Sequence, residues 1–349
     1  LDTNQLNAIV DIISANYLQI FTTGGEFYAP QEFSDPLTPT NFIAKLQSSH
    51  GSKESIRVQN VAGNTLFIQR QGKALNEFLY SSGEDAYTST QISLLSSHLL
   101  NNPTDMSIRK TTSTDEGDRL NIVNGTDGSM AVYTLLRDQN IVAASKFTTD
   151  GTFLNIATVV SDQYVAVKRV INSANKYYIE LFNEDVTLDS SLTGGGAANV
   201  SSGHLNTKTV KVIGDGVMQA DVTAGASTIT FATTTTSSFE VGLDYTITVK
   251  TLPIEPGIQG YASLKGFKKR VLEVNAFLNE TQNLTINSNT IPIRTLGTDN
   301  LDVGVPEFTG TKTLHGILGY SLTGQIEIGQ SAPLKLHLLG MDYKVSTGA

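Results

Sequence analysis

The chain has 349 residues, enough for two average domains or one large β domain, and long enough to bury a substantial core without staples. Hydrophobic residues make up 39% and charged residues only 16%; hydroxyl and amide residues and 30 glycines fill the balance, a mix that favours strands and turns over helices. The net charge of -9 offers no overall field to a polyanion, and the absence of cysteine excludes disulfides, thiolate metal sites and cysteine nucleophiles. No apolar run approaches the roughly 20 residues of a membrane span. The chain starts at Leu1 with no Met, charged n-region or h-region, so no signal peptide is visible and a fragment or processed chain is expected.

The first half carries a loose repeat of short apolar strand, Gly-containing turn and second strand. Its copies run from Tyr17 to Tyr28, Asn64 to Tyr80, Arg119 to Leu135 and Gln163 to Phe182. The starts Leu18, Leu66, Leu120 and Tyr164 recur at roughly 44 to 54 residues, the spacing of propeller blades. Gly24-Gly25, Gly72 and Asp127-Gly128 are expected to supply the positive φ of tight hairpins. A further apolar run precedes each copy, at Ile9 to Ile13, Ile56 to Val61, Met106 to Arg109 and Phe153 to Val160, and reads as the inner strand of each blade. Ala29 to Thr40 and Ser81 to Pro103 read as long loops, the second with a short helix or buried segment around Ile92, Leu94, Leu95, Leu99 and Leu100.

The expected domain order is propeller blades over 1–188, a Gly/Ser-rich linker over 189–206 containing Gly194-Gly195-Gly196, and a β-rich platform over 207–349. In that last part a Gly214-Asp215-Gly216 turn is followed by the alternating stretch Tyr245 to Leu252. Strand-like runs then span Val271 to Leu278, Leu284 to Ile293, Leu314 to Ile328 and Leu334 to Val345. The fold class is therefore all-β: a partial or complete β-propeller followed by a sandwich- or barrel-like platform.

Several blocks resemble the tail nozzle proteins of short-tailed bacteriophages, the tail tubular protein B-like or packaged-DNA stabilisation family. They are FTTGGEFY at Phe21, PLTPTN at Pro36, QSSHGS at Gln47, LFIQRQGKALNEFLY at Leu66 and QISLLSSHLL at Gln91. Asp127 to Phe153, YVAVKR at Tyr164, Val210 to Gly225, Val241 to Glu255, GFKKRV at Gly266 and Gly324 to Met341 follow in the same order over nearly the whole chain. Departures are Ala144 to Phe147 and Tyr320, where the family usually has aromatic residues, often Trp, and a missing N-terminal part. The resemblance implies a virion tail protein that forms a homo-oligomeric ring, commonly a hexamer. Its neighbours would be adaptor or portal-side proteins and tail fibres or spikes, and genomic DNA would pass through it without sequence-specific binding. No cofactor and no catalytic group are implied, so a non-enzyme is expected.

The chemistry-bearing residues fit that expectation. His50, His98, His204, His315 and His337 show no ligand spacing. Asp127-Gly128 and Asp150-Gly151 read as turns rather than sialidase Asp-boxes, and Arg57, Arg70, Arg109, Arg119, Arg137 and Arg169 read as solvated blade edges. Gly214-Asp215-Gly216 and Asp115-Glu116-Gly117-Asp118 read as hairpin turns rather than calcium loops. Lys268, Lys269 and Arg270 could contact phosphate, or more simply form a strand end or inter-subunit ion-pair site. Two other functions remain open: a propeller-type receptor or glycan-binding adhesin, marked by convergent tyrosines, and a glycoside hydrolase, which needs a carboxylate pair.

Overall fold

A computed structural model describes residues 7–30, 36–61, 63–112, 116–225, 228–255, 265–295, 303–316 and 319–348. Among these residues lie twenty-nine strands and three single-turn 3-10 helices, arranged as many small antiparallel sheets. No helix among them is long and apolar enough to cross a membrane. The chain splits into two compact units, Leu1–Phe182 and Asn183–Ala349.

The first unit is a row of four antiparallel meanders, each in chain order, which is the blade pattern of a propeller. Sheet one holds β1 (Ile9–Ser14), β2 (Leu18–Thr22), β3 (Glu26–Ala29) and β4 (Lys45–Ser48). Sheet two holds β5 (Gln59–Val61), β6 (Asn64–Ile68), β7 (Leu75–Ser81) and β8 (Ala86–Gln91). Sheet three holds β9 (Pro103–Arg109), β10 (Asp118–Asn124), β11 (Met130–Leu136) and β12 (Ile141–Phe147). Sheet four has three strands, β13 (Thr152–Val159), β14 (Asp162–Ile171) and β15 (Ala174–Leu181). Each sequence copy supplies the second and third strands of its sheet, and the preceding apolar run supplies the first.

Side chains alternate along a strand, so each sheet has a forward face toward the next sheet and a backward face toward the one before. Phe21 and Tyr28 of sheet one meet Phe67, Phe78 and Tyr87 of sheet two. Leu66, Ile68 and Leu75, on the other face of sheet two, meet Met106, Leu120, Ile122 and Tyr133 of sheet three. Val123, Met130 and Val132 then meet Phe153, Ile156, Val165 and Val167 of sheet four. Each fully buried side chain of this size contributes roughly 1.5–3 kcal/mol of transfer free energy, so the three seams hold the unit together.

The hairpins follow turn chemistry, with one correction. Gly72 and Gly128 have φ of +70° and +64° as expected, whereas Gly24 and Gly25 are absent from the positive-φ positions. Gly25 is needed for space instead: a Cβ there would lie 2.7 Å from the Ser48 carbonyl oxygen.

The second unit has two main cores. One gathers Leu205, Val210, Val212, Ile229, Phe231, Phe239 and Val241. The other packs Val271, Val274, Ala276 and Leu278, from the 14-residue strand Lys268–Thr281, against Leu284, Ile286, Ile326 and Ile328. That strand lies between Phe308–His315 and Leu338–Gly348. None of the sheets of this unit closes into a barrel among the described residues.

The expected linker over 189–206 is folded. Asp189–Gly195 pairs with Ser238–Leu243, and Asn199–Ser201 pairs with Thr228–Thr230. Two of its glycines serve close approach: a Cβ on Gly194 would sit 2.6 Å from the Phe239 ring, and one on Gly196 would sit 2.4 Å from the Thr236 carbonyl oxygen.

Candidate functional site

Lys268, Lys269 and Arg270 lie on one strand, and alternation divides them. Lys269 is 2% exposed, and its Nζ donates to the Leu322 carbonyl at 2.9 Å. Lys268 and Arg270 point the other way, with Arg270 over the Tyr320 ring at 6.0 Å from its centroid. Three adjacent cations therefore do not face one ligand.

Arg57 and Arg70 are exposed, as expected of solvated edges, whereas Arg109, Arg137 and Arg169 are largely withdrawn from solvent, and several of the arginines span the seams. Arg70 of sheet two donates to the Thr23 carbonyl of sheet one at 3.3 Å. Arg137, just after β11, forms a 2.6 Å ion pair with Glu77 of β7, whose side chain is only 8% exposed. Arg109 Nε donates to the Ser161 carbonyl at the β13–β14 hairpin at 3.1 Å. Arg169, wholly buried, holds Glu180 through two hydrogen bonds of 2.9 and 2.7 Å and donates to the Asp150 carbonyl. These groups clamp blades and do not converge on an anion.

The acidic turns are also spent locally. Burial works to raise the pKa of Asp127, but hydrogen bonds from Ser129 and Lys146 outweigh it and hold the carboxyl at about 2. Asp215, in a hairpin where it and Gly216 both take positive φ, accepts the backbone N–H groups of Thr236, Ser238 and Ser237, and these hold it at about 2. Of Asp115-Glu116-Gly117-Asp118, Asp115 lies outside the described residues. No cluster of three His, Asp or Glu side chains suited to a metal ion occurs among the described residues. His315 pairs with Glu273 at 3.3 Å, and His204 hydrogen-bonds Ser202 and the Ser190 carbonyl.

Four of the twelve tyrosines do converge. Tyr17 and Tyr28 of sheet one meet Tyr80 and Tyr87 of sheet two with ring centroids 5.2 to 5.7 Å apart. Tyr80 donates its hydroxyl to the Asp85 carboxylate, and Tyr28 donates to the Asp85 carbonyl. The hydrogen bonds to Asp85 and Tyr17 push the Tyr80 phenol well above its ordinary pKa. Tyr28 and Tyr87 are buried in the seam, while Tyr17, Tyr80 and Asp85 reach its rim.

The most distinctive surface is one the sequence reading did not single out, the forward face of sheet four. Register places Ala157, Tyr164 and Leu181 in one row across the sheet, Asn155, Ala166 and Ile179 in the next, and Thr152, Lys168 and Tyr177 in a third. Ile179 is 80% exposed and Tyr177 67%, with Val159, Val170 and Leu181 exposed beside them. The signal for it was available in the alternation of Tyr177, Ile179 and Leu181, which matches that of a strand with a covered face. At the hairpin tip, Val160 is 94% exposed with φ +60°, a conformation that a β-branched residue rarely takes.

No family model matches the chain, and no curated protein matches it. Among solved structures, it is similar to the exo-β-1,3-galactanase of Phanerochaete chrysosporium, in two variants each with β-1,3-galactotriose. Identity is 10%, TM-scores are 0.30 and 0.29, and the match covers 97% of this chain and 82% of that one. The expectation of a non-enzyme is corrected by these matches, both of which are to an enzyme, and it is withdrawn. At such TM-scores the likeness assigns no activity in its place.

Proposed function

We propose that the chain is a structural subunit of the tail nozzle of a short-tailed phage, acting by assembly with copies of itself around a duct for the genome. The collinear sequence blocks motivate the nozzle. The observation that carries assembly is the apolar forward face of sheet four, which in each earlier sheet of the row is covered by a neighbour. The duct would work through shape and weak electrostatics, and the net charge of -9 disfavours tight phosphate contacts along the wall. Neighbours in this reading are adaptor or portal-side proteins and tail fibres or spikes.

Electron microscopy of the concentrated chain, with antibody labelling of virions, tests this. Rings with a central lumen and label at the tail tip are expected. Particles that stay monomeric, with no label on tails, would overturn it.

A second reading, carbohydrate binding, rests on the rim formed by Tyr17, Tyr80 and Asp85, where aromatic edges adjoin a carboxylate. Calorimetry with oligosaccharides should show binding that Tyr80→Ala abolishes; binding indifferent to that substitution would dismiss the rim.

A further inference from the structure

We propose that the open edge of β15 pairs with the same edge in a second copy of this chain, antiparallel, across a two-fold axis at Tyr178. The pairing concerns one strand edge, not the apolar face of sheet four, and it does not rest on the nozzle reading.

Sheets one, two and three each have four strands, and sheet four stops at its third. Among the described residues β15 pairs on one side only, with β14. It is 8 residues long, keeps register with β14 from Ala174 to Leu181 without a bulge, and contains neither Pro nor Gly. A long, straight edge of this kind is a template for another strand. Its hydrogen-bond phase can be read at its end. Phe182, next in register after the pair Tyr164 and Leu181, donates its N–H to the Gln163 carbonyl. Bonded and open pairs alternate along an antiparallel ladder. Ala174, Lys176, Tyr178 and Glu180 therefore bond to β14, while Asn175, Tyr177, Ile179 and Leu181 turn their backbone groups outward.

A second strand can bond to this edge only in registers that oppose those outward residues to one another. One such register sets Asn175 against Leu181 of the second copy, Lys176 against Glu180, Tyr177 against Ile179, and Tyr178 against itself. Lys176 and Glu180 then meet twice, once on each side of the axis. Both meetings fall at pairs without backbone bonds, where side chains come closest. Other axes lose this match. At Tyr177 the axis sets Lys176 against Tyr178, at Ile179 it sets Glu180 against Tyr178, and at Lys176 it sets that ammonium against itself. A lysine on an edge strand ordinarily blocks pairing, and the Tyr178 axis answers it with a carboxylate. Glu180 already holds Arg169, but a carboxylate accepts about four hydrogen bonds and can take the lysine as well. The contact is isologous and closes as a dimer.

The chain has no cysteine, so single engineered thiols report the register. Tyr178→Cys alone should give a disulfide-linked dimer on oxidation, with Tyr177→Cys and Ile179→Cys giving little. Cross-linking at least as strong at position 177 or 179 would move the axis and overturn the charge match, and none at any of the three would overturn the pairing. Two further variants leave the β14 ladder intact. Lys176→Glu sets like charges together on both sides of the axis, and Ile179→Pro removes one outward N–H. Each should weaken dimerisation in sedimentation by about tenfold, with a thermal melt confirming that the fold is kept. If both variants associate as the wild type does, the edge is wrong, and any rings they form leave the nozzle reading standing. A wild type that sediments as a 37.4 kDa monomer up to about 100 µM also overturns the pairing.

Discussion

Glu26 is fully buried in β3, with its carboxylate held by the hydroxyls of Ser48 and Ser52. Burial raises its pKa above 4.5, and the two hydrogen bonds, nearby His50 and the Gly51 backbone offset only part of that. The ionised form therefore opposes folding at neutral pH. Stability rises as pH falls through the folded pKa, and the gain is complete below the unfolded value of about 4.5. Glu26→Gln, uncharged throughout, should melt higher than the wild type at pH 7.5, and the gap should close toward pH 4.5. A gap independent of pH would show that the charge is not what opposes folding. Glu26→Ala removes the acceptor of both hydroxyls and should lose about 1–3 kcal/mol. Val160 poses a backbone problem. The neighbouring β14–β15 hairpin uses Asn172 and Ser173 for its two positive-φ positions, whereas the β13–β14 hairpin puts a valine at φ +60°. Val160→Asn should stabilise the unit by about 1 kcal/mol in urea unfolding.

Among the elements, the strand Asp189–Gly195 and the seam between sheets two and three show what could and could not be read from sequence. Hairpin turns were legible because Gly72, Asp127-Gly128 and Asp215-Gly216 carry their φ preference in the residue itself. The role of Gly194 was not, because what it makes room for, the Phe239 ring, lies 45 positions away in sequence. Gly194→Ala should cost about 1–3 kcal/mol by overpacking; a neutral outcome would return the segment to a linker. The Arg137–Glu77 pair was likewise hidden, since 60 residues separate the partners. Glu77 also accepts a hydrogen bond from Asn64 at 2.7 Å. Arg137→Ala strands the carboxylate and should destabilise by about 2–4 kcal/mol, while Arg137→Met combined with Glu77→Gln should recover most of that loss. If the double variant is as unstable as the single one, the pair is not what closes the seam.

At the scale of the whole molecule, the two-unit division and the blade row were legible from one periodicity and one change of pattern, while the boundary was displaced by several residues. Composition pulled it toward the glycines, but backbone pairing places them inside the second unit's sheet. Its start is fastened by Glu240, which accepts the N–H groups of Thr187 and Leu188 at 2.8 and 2.7 Å. Burial raises the pKa of Glu240, and these hydrogen bonds offset it in part. Upstream, Phe182 is tied back to the Gln163 carbonyl, closing sheet four. Between these anchors Asn183, Glu184 and Asp185 are exposed and belong to no strand, and a protease needs an exposed segment that can leave its hydrogen bonds cheaply. Limited digestion with a glutamate-specific protease should therefore cut at Glu184 and leave the 189–206 stretch intact. The products should be two folded halves, each melting cooperatively, because the main hydrophobic clusters lie wholly within one unit or the other. The contrary result would come from a protease of broad specificity. First cuts by it among Gly194, Gly195 and Gly196 would mean that the pairing of Asp189–Gly195 with Ser238–Leu243 opens more readily than the exposed turn, which the steric fit of Gly194 beneath Phe239 argues against.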